Sequence, residues 1–155
     1  MKFSFTPKEY ARLLELAYLG RWVTVARKGD ESPAIRRYDE IFQKILELAT
    51  PLGCADLVEE DDDGRLGPSA KLEDDERLRE IMAEFDNDTF WNELVTRLAE
   101  RDYAAEQAKR ALADTPGVEP PPTPDERLKQ LEDAYWDEFE KHDLANIVAL
   151  RGGRG

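Results

Sequence analysis

Carboxylates are the side chains of this sequence best suited to chemistry, and many of them fall in the middle of the chain. Glu73, Glu76, Asp86 and Asp88 lie within a short stretch. Two carboxylates three positions apart share one face of a helix, and magnesium accepts such oxygen ligands. These four residues are therefore a candidate metal site. However, with 35 acidic residues in 155, such pairs also arise by chance on a solvated face.

A second acidic run, residues 59–63, can be aligned with a calcium-binding loop. Glu59, Asp61 and Asp63 then take the first, third and fifth ligand positions, but Ala70 stands where a bidentate glutamate is required. Pro68 also interrupts the loop. We predict a solvated acidic turn, with binding of a divalent cation as the alternative.

The single histidine and the single cysteine do not complete a catalytic set. His142 follows Glu138 by four residues, which places both on one helix face, but helical metal sites of the di-iron type need more than one histidine. Cys54 follows a predicted helix end, whereas reactive thiolates favour helix N-termini or cationic neighbours. We predict a packed or C-terminal histidine, an unreactive thiol, no catalytic residues and no cofactor.

Aromatic side chains suggest a different kind of site. Tyr18, Trp22 and Trp136 belong to helices that carry more large apolar residues than one stripe buries. Exposed apolar patches mark surfaces that bind partners. We therefore predict that these three residues contact a protein partner or a second copy of the chain.

The net charge of −13 restricts the class of partner. Residues 1–53 carry nine basic and seven acidic side chains, whereas residues 54–114 carry eight and nineteen. An acidic surface repels phosphate backbones, so no nucleic-acid partner is expected. No run approaches the ~20 apolar residues of a membrane span, and no signal peptide is visible, so we predict a cytoplasmic protein without membrane contact.

The elements that must position these residues are helices. Threonine or serine before proline marks three helix starts, at Thr6, Ser32 and Thr123. The first helix is expected to end near Lys28 and the second near Thr50, and the last helix follows Thr123. Two further helices are predicted over 73–85 and 89–113, with an interruption at 86–88. The core stripe of the second helix is predicted to contain Ile35, Tyr38, Phe42, Ile45, Ala49 and Leu52.

The remaining segments separate these helices. Residues 54–72 lack helical periodicity and form either an irregular acidic loop or a short hairpin, and four prolines between residues 115 and 123 predict an extended connector. We predict an all-α fold, a compact bundle of five or six helices. Residues 1–150 form one domain and residues 151–155 a frayed tail.

Several short stretches resemble small uncharacterised bacterial proteins with helical folds. They are Phe5-Thr6, Glu9-Tyr10, Leu13 to Leu16, Tyr18-Leu19-Gly20, Trp22, and Leu98-Ala99-Glu100-Arg101-Asp102. These pieces cover about a fifth of the chain, and most are residues of a helix core. The resemblance implies a bacterial origin and brings no activity or site with it.

Taken together, the residues favour a non-enzymatic protein-interaction or adaptor protein, with a homodimer as one form of it. The alternative is a small divalent-metal-dependent hydrolase that acts on a phosphorylated substrate through Glu73, Glu76, Asp86 and Asp88.

Overall fold

A computed structural model describes residues 4–25, 33–113 and 123–148 of the chain. The described residues are mostly helical and include one two-stranded antiparallel sheet. The elements are α1 (Pro7–Val25), α2 (Pro33–Glu47), a 3-10 turn (Ala55–Leu57), β1 (Val58–Glu60), β2 (Leu66–Pro68), α3 (Ala70–Glu73), α4 (Glu76–Ala113) and α5 (Pro124–His142). The helical class is confirmed, whereas the bundle of five or six helices stays a prediction. None of the described helices is long and apolar enough to cross a membrane.

The chain divides into two compact units, Met1–Phe85 and Asp86–Gly155. The single domain over residues 1–150 stays a prediction. Residues 26–32 and 114–122 and the tail at 151–155 lie outside the described residues, and so does most of the predicted connector.

The first unit begins with a capping box at the helix start predicted at Thr6. The Thr6 N–H donates to Glu9 Oε2 over 2.8 Å, and the Glu9 N–H donates to Thr6 Oγ1 over 3.3 Å. Two backbone donors that the helix cannot satisfy are thereby paired. α1 ends at Val25, and the predicted continuation to Lys28 falls on residues outside the description.

The core of the first unit brings α1 and α2 against the segment that follows them. Its buried residues are Tyr10, Leu14, Phe42, Leu46, Ala49, Cys54, Leu72 and Leu78. The predicted α2 stripe is only partly right, because Leu46 is buried and Tyr38 is exposed. The helix also ends at Glu47 rather than near Thr50, and turns occupy the residues before Cys54.

Residues 54–72 contain the hairpin that the sequence left as one alternative. Val58 pairs with Pro68 and Glu60 with Leu66. In the turn between the strands, Asp61 Oδ1 accepts the N–H groups of Asp63 (3.0 Å) and Arg65 (2.8 Å). Asp61 therefore organises the backbone of the acidic turn.

The predicted interruption at 86–88 is wrong, because α4 runs unbroken for 38 residues. The helix also starts later than predicted, at Glu76, where Asp75 Oδ1 accepts the Leu78 N–H over 3.1 Å. Asp and Asn cost a helix only ~0.7 kcal/mol or less relative to alanine, whereas a new helix start repeats the unfavourable nucleation step. With neither glycine nor proline in this stretch, continuing the helix is the favourable outcome.

In the second unit, α5 runs antiparallel to the later part of α4. The ring centroids of Trp91 and Phe139 lie 5.3 Å apart, Tyr135 donates to Asp102, and both ends of the Arg127 guanidinium reach Glu106. α5 begins at the helix start predicted at Thr123, where a capping box is present. The buried side chains among the described residues of this unit are Val95, Ala99 and Phe139.

Candidate interaction surfaces

An apolar groove of about 390 Å³ lies between α1 and α2. We call it the α1–α2 groove. It is lined by Ala17, Gly20, Arg21, Thr24, Tyr38, Ile41, Phe42 and Ile45. Tyr38 and Ile41 are 57% and 55% exposed, which is high for side chains of their size and polarity. Exposed apolar side chains gathered around a concavity are typical of a surface that binds a partner.

The charge in the α1–α2 groove is compensated within the chain. Arg21 Nε lies 2.9 Å from Asp39 Oδ1, and the Arg21 guanidinium lies over the Phe42 ring at 5.3 Å from its centroid. The ion pair and the ring together hold the arginine along the wall. The groove therefore offers a partner mainly apolar contact.

Gly20 leaves space in the α1–α2 groove that the fold itself does not need. A Cβ atom at this position would meet no atom within 4 Å. Glycine inside a helix is destabilising by ~1 kcal/mol relative to alanine. No close packing of the backbone explains the glycine, and the position faces open space in the groove.

Two of the residues predicted to bind a partner lie on α1 but do not line this groove. Tyr18 is half-buried beside the core, and burial, followed by the charge of Glu73, raises its pKa. Trp22 is also half-buried and packs edge-on against Phe85, with 5.8 Å between ring centroids. The sequence identified the helix, while the groove lies on a face that contains Gly20.

The third predicted residue, Trp136, lines a groove of about 270 Å³ in the second unit. We call it the aromatic groove. Its other lining residues are Trp91, Phe139, Glu140 and Asp143. Phe139 is buried and stacks on Tyr135, while Glu140 and Asp143 are exposed. Aromatic walls are thus combined with two carboxylates at the rim.

Tyr135 also takes part in a polar cluster that joins α4 and α5. Its hydroxyl donates to Asp102, and Arg101 Nη2 lies 3.0 Å from the same hydroxyl oxygen. The hydrogen bond from Tyr135, and then the one from Arg101, lowers the pKa of the Asp102 carboxyl. The cluster fixes the two helices relative to each other, and all three side chains have partners.

The predicted metal ligands are distributed over different elements. Glu73 ends α3 and Glu76 begins α4, so the two do not share a helix face. Asp86 and Asp88 lie in the uninterrupted part of α4. Within residues 4–25, 33–113 and 123–148, no cluster of three or more His, Cys, Asp or Glu side chains could hold a metal ion.

The remaining candidates have structural surroundings. Cys54 is buried, and its Sγ lies 3.3 Å from the Pro7 carbonyl oxygen. His142 is the last residue of α5 and is exposed rather than packed. Its predicted neighbour Glu138 accepts a hydrogen bond from Asn146 Nδ2 over 2.7 Å. None of these residues belongs to either groove.

Comparison with known proteins gives no relative for this chain: no family model, curated protein or solved structure matches it.

The sequence predicted neither groove, although the spacing of apolar residues on α2 contained a signal for the α1–α2 groove. Ile41 lies three residues after Tyr38, and both fall beside the Phe42–Ile45 stripe. The apolar surface of α2 is therefore wider than one core needs.

Proposed function

We propose that the chain is a non-enzymatic protein-interaction protein that self-associates through the α1–α2 groove. The observation that carries this proposal is the open space in the α1–α2 groove at Gly20. A glycine inside α1 weakens the helix, and no packing within the single chain requires it. A side chain from a partner is the occupant that would compensate for it.

The proposed occupant is Leu16 of a second copy. Leu16 is 67% exposed and lies one helical turn before Gly20, on the same face of α1. If two α1 helices cross antiparallel at the level of Tyr18, each Leu16 meets the other copy's Gly20. Such a contact repeats itself about a twofold axis, as homodimer interfaces do.

The local charge favours a second copy over an oppositely charged partner. Residues 4–25 carry three basic and two acidic side chains, and α2 carries three of each. This part of the surface is nearly neutral on a chain whose net charge is −13. Two copies can therefore approach through α1 and α2 without the repulsion that their acidic regions would produce.

Exchanging the sizes of the two residues tests the proposed contact. We expect the wild-type chain to be dimeric in size-exclusion chromatography with light scattering, and Gly20→Leu to be monomeric because the added side chain fills the α1–α2 groove. Adding Leu16→Ala to Gly20→Leu restores a large side chain opposite a small one, so the double variant is expected to regain the dimer.

Two controls accompany this exchange. Gly20→Ala adds a single methyl group and is expected to stay dimeric, with helicity unchanged. Ile41→Lys is expected to give a folded monomer, whereas Leu112→Lys makes the same change of charge at an 85% exposed leucine outside the groove and keeps the dimer. A monomeric wild type at all concentrations, or a Gly20→Leu variant that still dimerises, would show that the proposed interface is wrong.

The hydrolase alternative stays a prediction from sequence. Its proposed ligands were Glu73, Glu76, Asp86 and Asp88, and the first pair no longer shares a helix face. No described contact favours it over the interaction protein.

A further inference from the structure

We infer that the aromatic groove binds an arginine or lysine side chain from a basic segment of another protein. The aromatic walls would contact the apolar stem and the charged head of that side chain, and the carboxylates of Glu140 and Asp143 would form ion pairs with the head. This site is separate from the α1–α2 groove and does not depend on self-association.

The walls of the aromatic groove have the chemistry that attracts a cation. Trp91 and Trp136 are partly exposed, and Trp91 is held by Phe139 at 5.3 Å and by Phe90 at 5.1 Å between ring centroids. Tryptophan is the aromatic side chain that interacts most strongly with a cation placed over its face. The Trp91 ring is thus fixed before a ligand arrives, which lowers the ordering cost of binding.

The two rim carboxylates are free to pair with a ligand. Charged groups next to them in the sequence are engaged, since Lys141 Nζ lies 3.6 Å from Asp137 and Glu138 accepts from Asn146. In the part of the chain that the structure describes, the carboxylates of Glu140 and Asp143 make neither hydrogen bond nor ion pair. They therefore leave an uncompensated negative charge beside an apolar surface.

The backbone at Asp143 is unusual in a way that points to the same position. Its φ of 52° and ψ of −134° belong to a turn in which Ala145 N–H donates to the His142 carbonyl over 3.0 Å. This conformation is the one glycine adopts at the second position of a type II′ turn. Strained residues of this kind occur preferentially at functional sites. Here the strained residue places a carboxylate at the mouth of the groove.

Size and charge select a side chain of a polypeptide as the occupant. The volume of about 270 Å³ is below the ~300–1,000 Å³ typical of small-molecule pockets, but a single long side chain needs less. Residues 123–148 carry eight acidic and three basic side chains, so a basic segment would be attracted along the surface as well as in the groove.

The experiment follows the indole N–H signals of the three tryptophans by NMR during titration with a peptide of alternating glycine and arginine. It uses full-length protein that carries Gly20→Leu, so that the outcome does not depend on dimer formation. We expect the signals of Trp91 and Trp136 to shift and that of Trp22 to stay in place. A peptide with neutral citrulline in place of arginine is expected to bind at least about tenfold more weakly, because a charge-assisted contact is lost.

Variants of the two rim carboxylates distinguish recognition by the aromatic groove from nonspecific attraction to the acidic surface of α5. Asp143→Asn and Glu140→Gln are each expected to raise Kd about tenfold, again by loss of one charge-assisted contact. Asp133→Asn removes one charge from an exposed position of α5 outside the groove and is expected to change Kd less than about threefold, as a screened surface charge does. Trp136→Leu keeps an apolar wall and is expected to weaken arginine binding.

Several results would overturn the inference. Equal binding of the citrulline peptide would show that charge is not recognised. If Asp133→Asn and Asp143→Asn raised Kd equally, binding would come from the overall negative charge of α5 and not from the aromatic groove. Stationary Trp91 and Trp136 signals would place binding elsewhere, and equal affinity for tetramethylammonium would indicate a site for small cations rather than for a protein segment.

Discussion

At the scale of single residues, the buried hydroxyl group of Tyr10 contributes to the stability of the core. Its side chain is fully buried, and its hydroxyl donates to the Ile45 carbonyl over 2.5 Å. Burial, with a smaller effect of Cys54, raises its pKa from 10.0 to about 12. The core therefore holds the neutral phenol, and the phenolate is the form that favours unfolding.

We predict that Tyr10→Phe lowers the free energy of unfolding by ~1 kcal/mol at neutral pH, because one buried hydrogen bond is lost. The stability that comes from the raised pKa is complete below pH 10 and is lost as the pH rises towards 12. The difference between wild type and Tyr10→Phe should therefore shrink over that range. Urea unfolding at several pH values measures it, and a constant difference up to pH 12 would contradict the assignment.

The backbone conformation of Asp143 could not be predicted from the sequence. Nothing in its sequence neighbourhood marks a positive φ, since glycine is the residue expected in that conformation. Strain of this kind costs of order 1–3 kcal/mol, and only the path of the chain after α5 reveals it. The sequence could therefore identify Trp136 as a candidate contact without identifying the carboxylate beside it.

At the scale of elements, the continuity of α4 distinguishes the structure from the sequence prediction. A helix that started at Thr89 would accept proline there, because the first helical position needs no N–H donor. In an uninterrupted helix, the same proline removes a hydrogen bond and clashes with the preceding turn.

We predict that Thr89→Pro lowers the free energy of unfolding by ~3 kcal/mol and reduces the helical signal in circular dichroism. Thr89→Ala is the matched control at the same exposed position and is expected to change stability by less than ~1 kcal/mol. If the proline and alanine variants were equally stable, the helix would have to begin near residue 89 after all.

The predictable and unpredictable elements differ in the range of the interactions that define them. Thr6 and Thr123 are followed by a proline and then by a glutamate, so local chemistry was enough to locate α1 and α5. The end of α2 depends on contacts with distant segments, such as those of Leu46 in the core. The start of α4 is capped locally by Asp75, but four consecutive acidic residues at 73–76 do not reveal from sequence which of them is the cap. The α1–α2 groove depends on two helices together, which no single periodic stripe describes.

At the scale of the whole molecule, the net charge of −13 governs the response to salts. Cations of any kind screen the repulsion among exposed carboxylates, so some stabilisation by salt is expected without a binding site. A specific site would add to this effect, by ~2.7 kcal/mol when the ion is at a hundred times its Kd.

We predict that MgCl2 and NaCl at equal ionic strength raise the melting temperature equally, within about 1 °C, because the described carboxylates do not converge. A specific magnesium site would add roughly 5–10 °C at saturation for a chain of this size. Manganese, calcium and nucleotides are compared in the same thermal-shift measurement. A selective shift with any of them would favour the hydrolase over the interaction protein.

The position of Cys54 allows the opening of the native protein to be measured by the rate of thiol modification. Because this is the chain's single thiol and it is enclosed in the core of the first unit, a thiol reagent can reach it only when that core opens. The rate of modification then measures how often residues around Tyr10 and Leu14 separate in the native protein. Two of the three tryptophans, Trp91 and Trp136, lie in the second unit, so the opening of each half can be timed without adding a label.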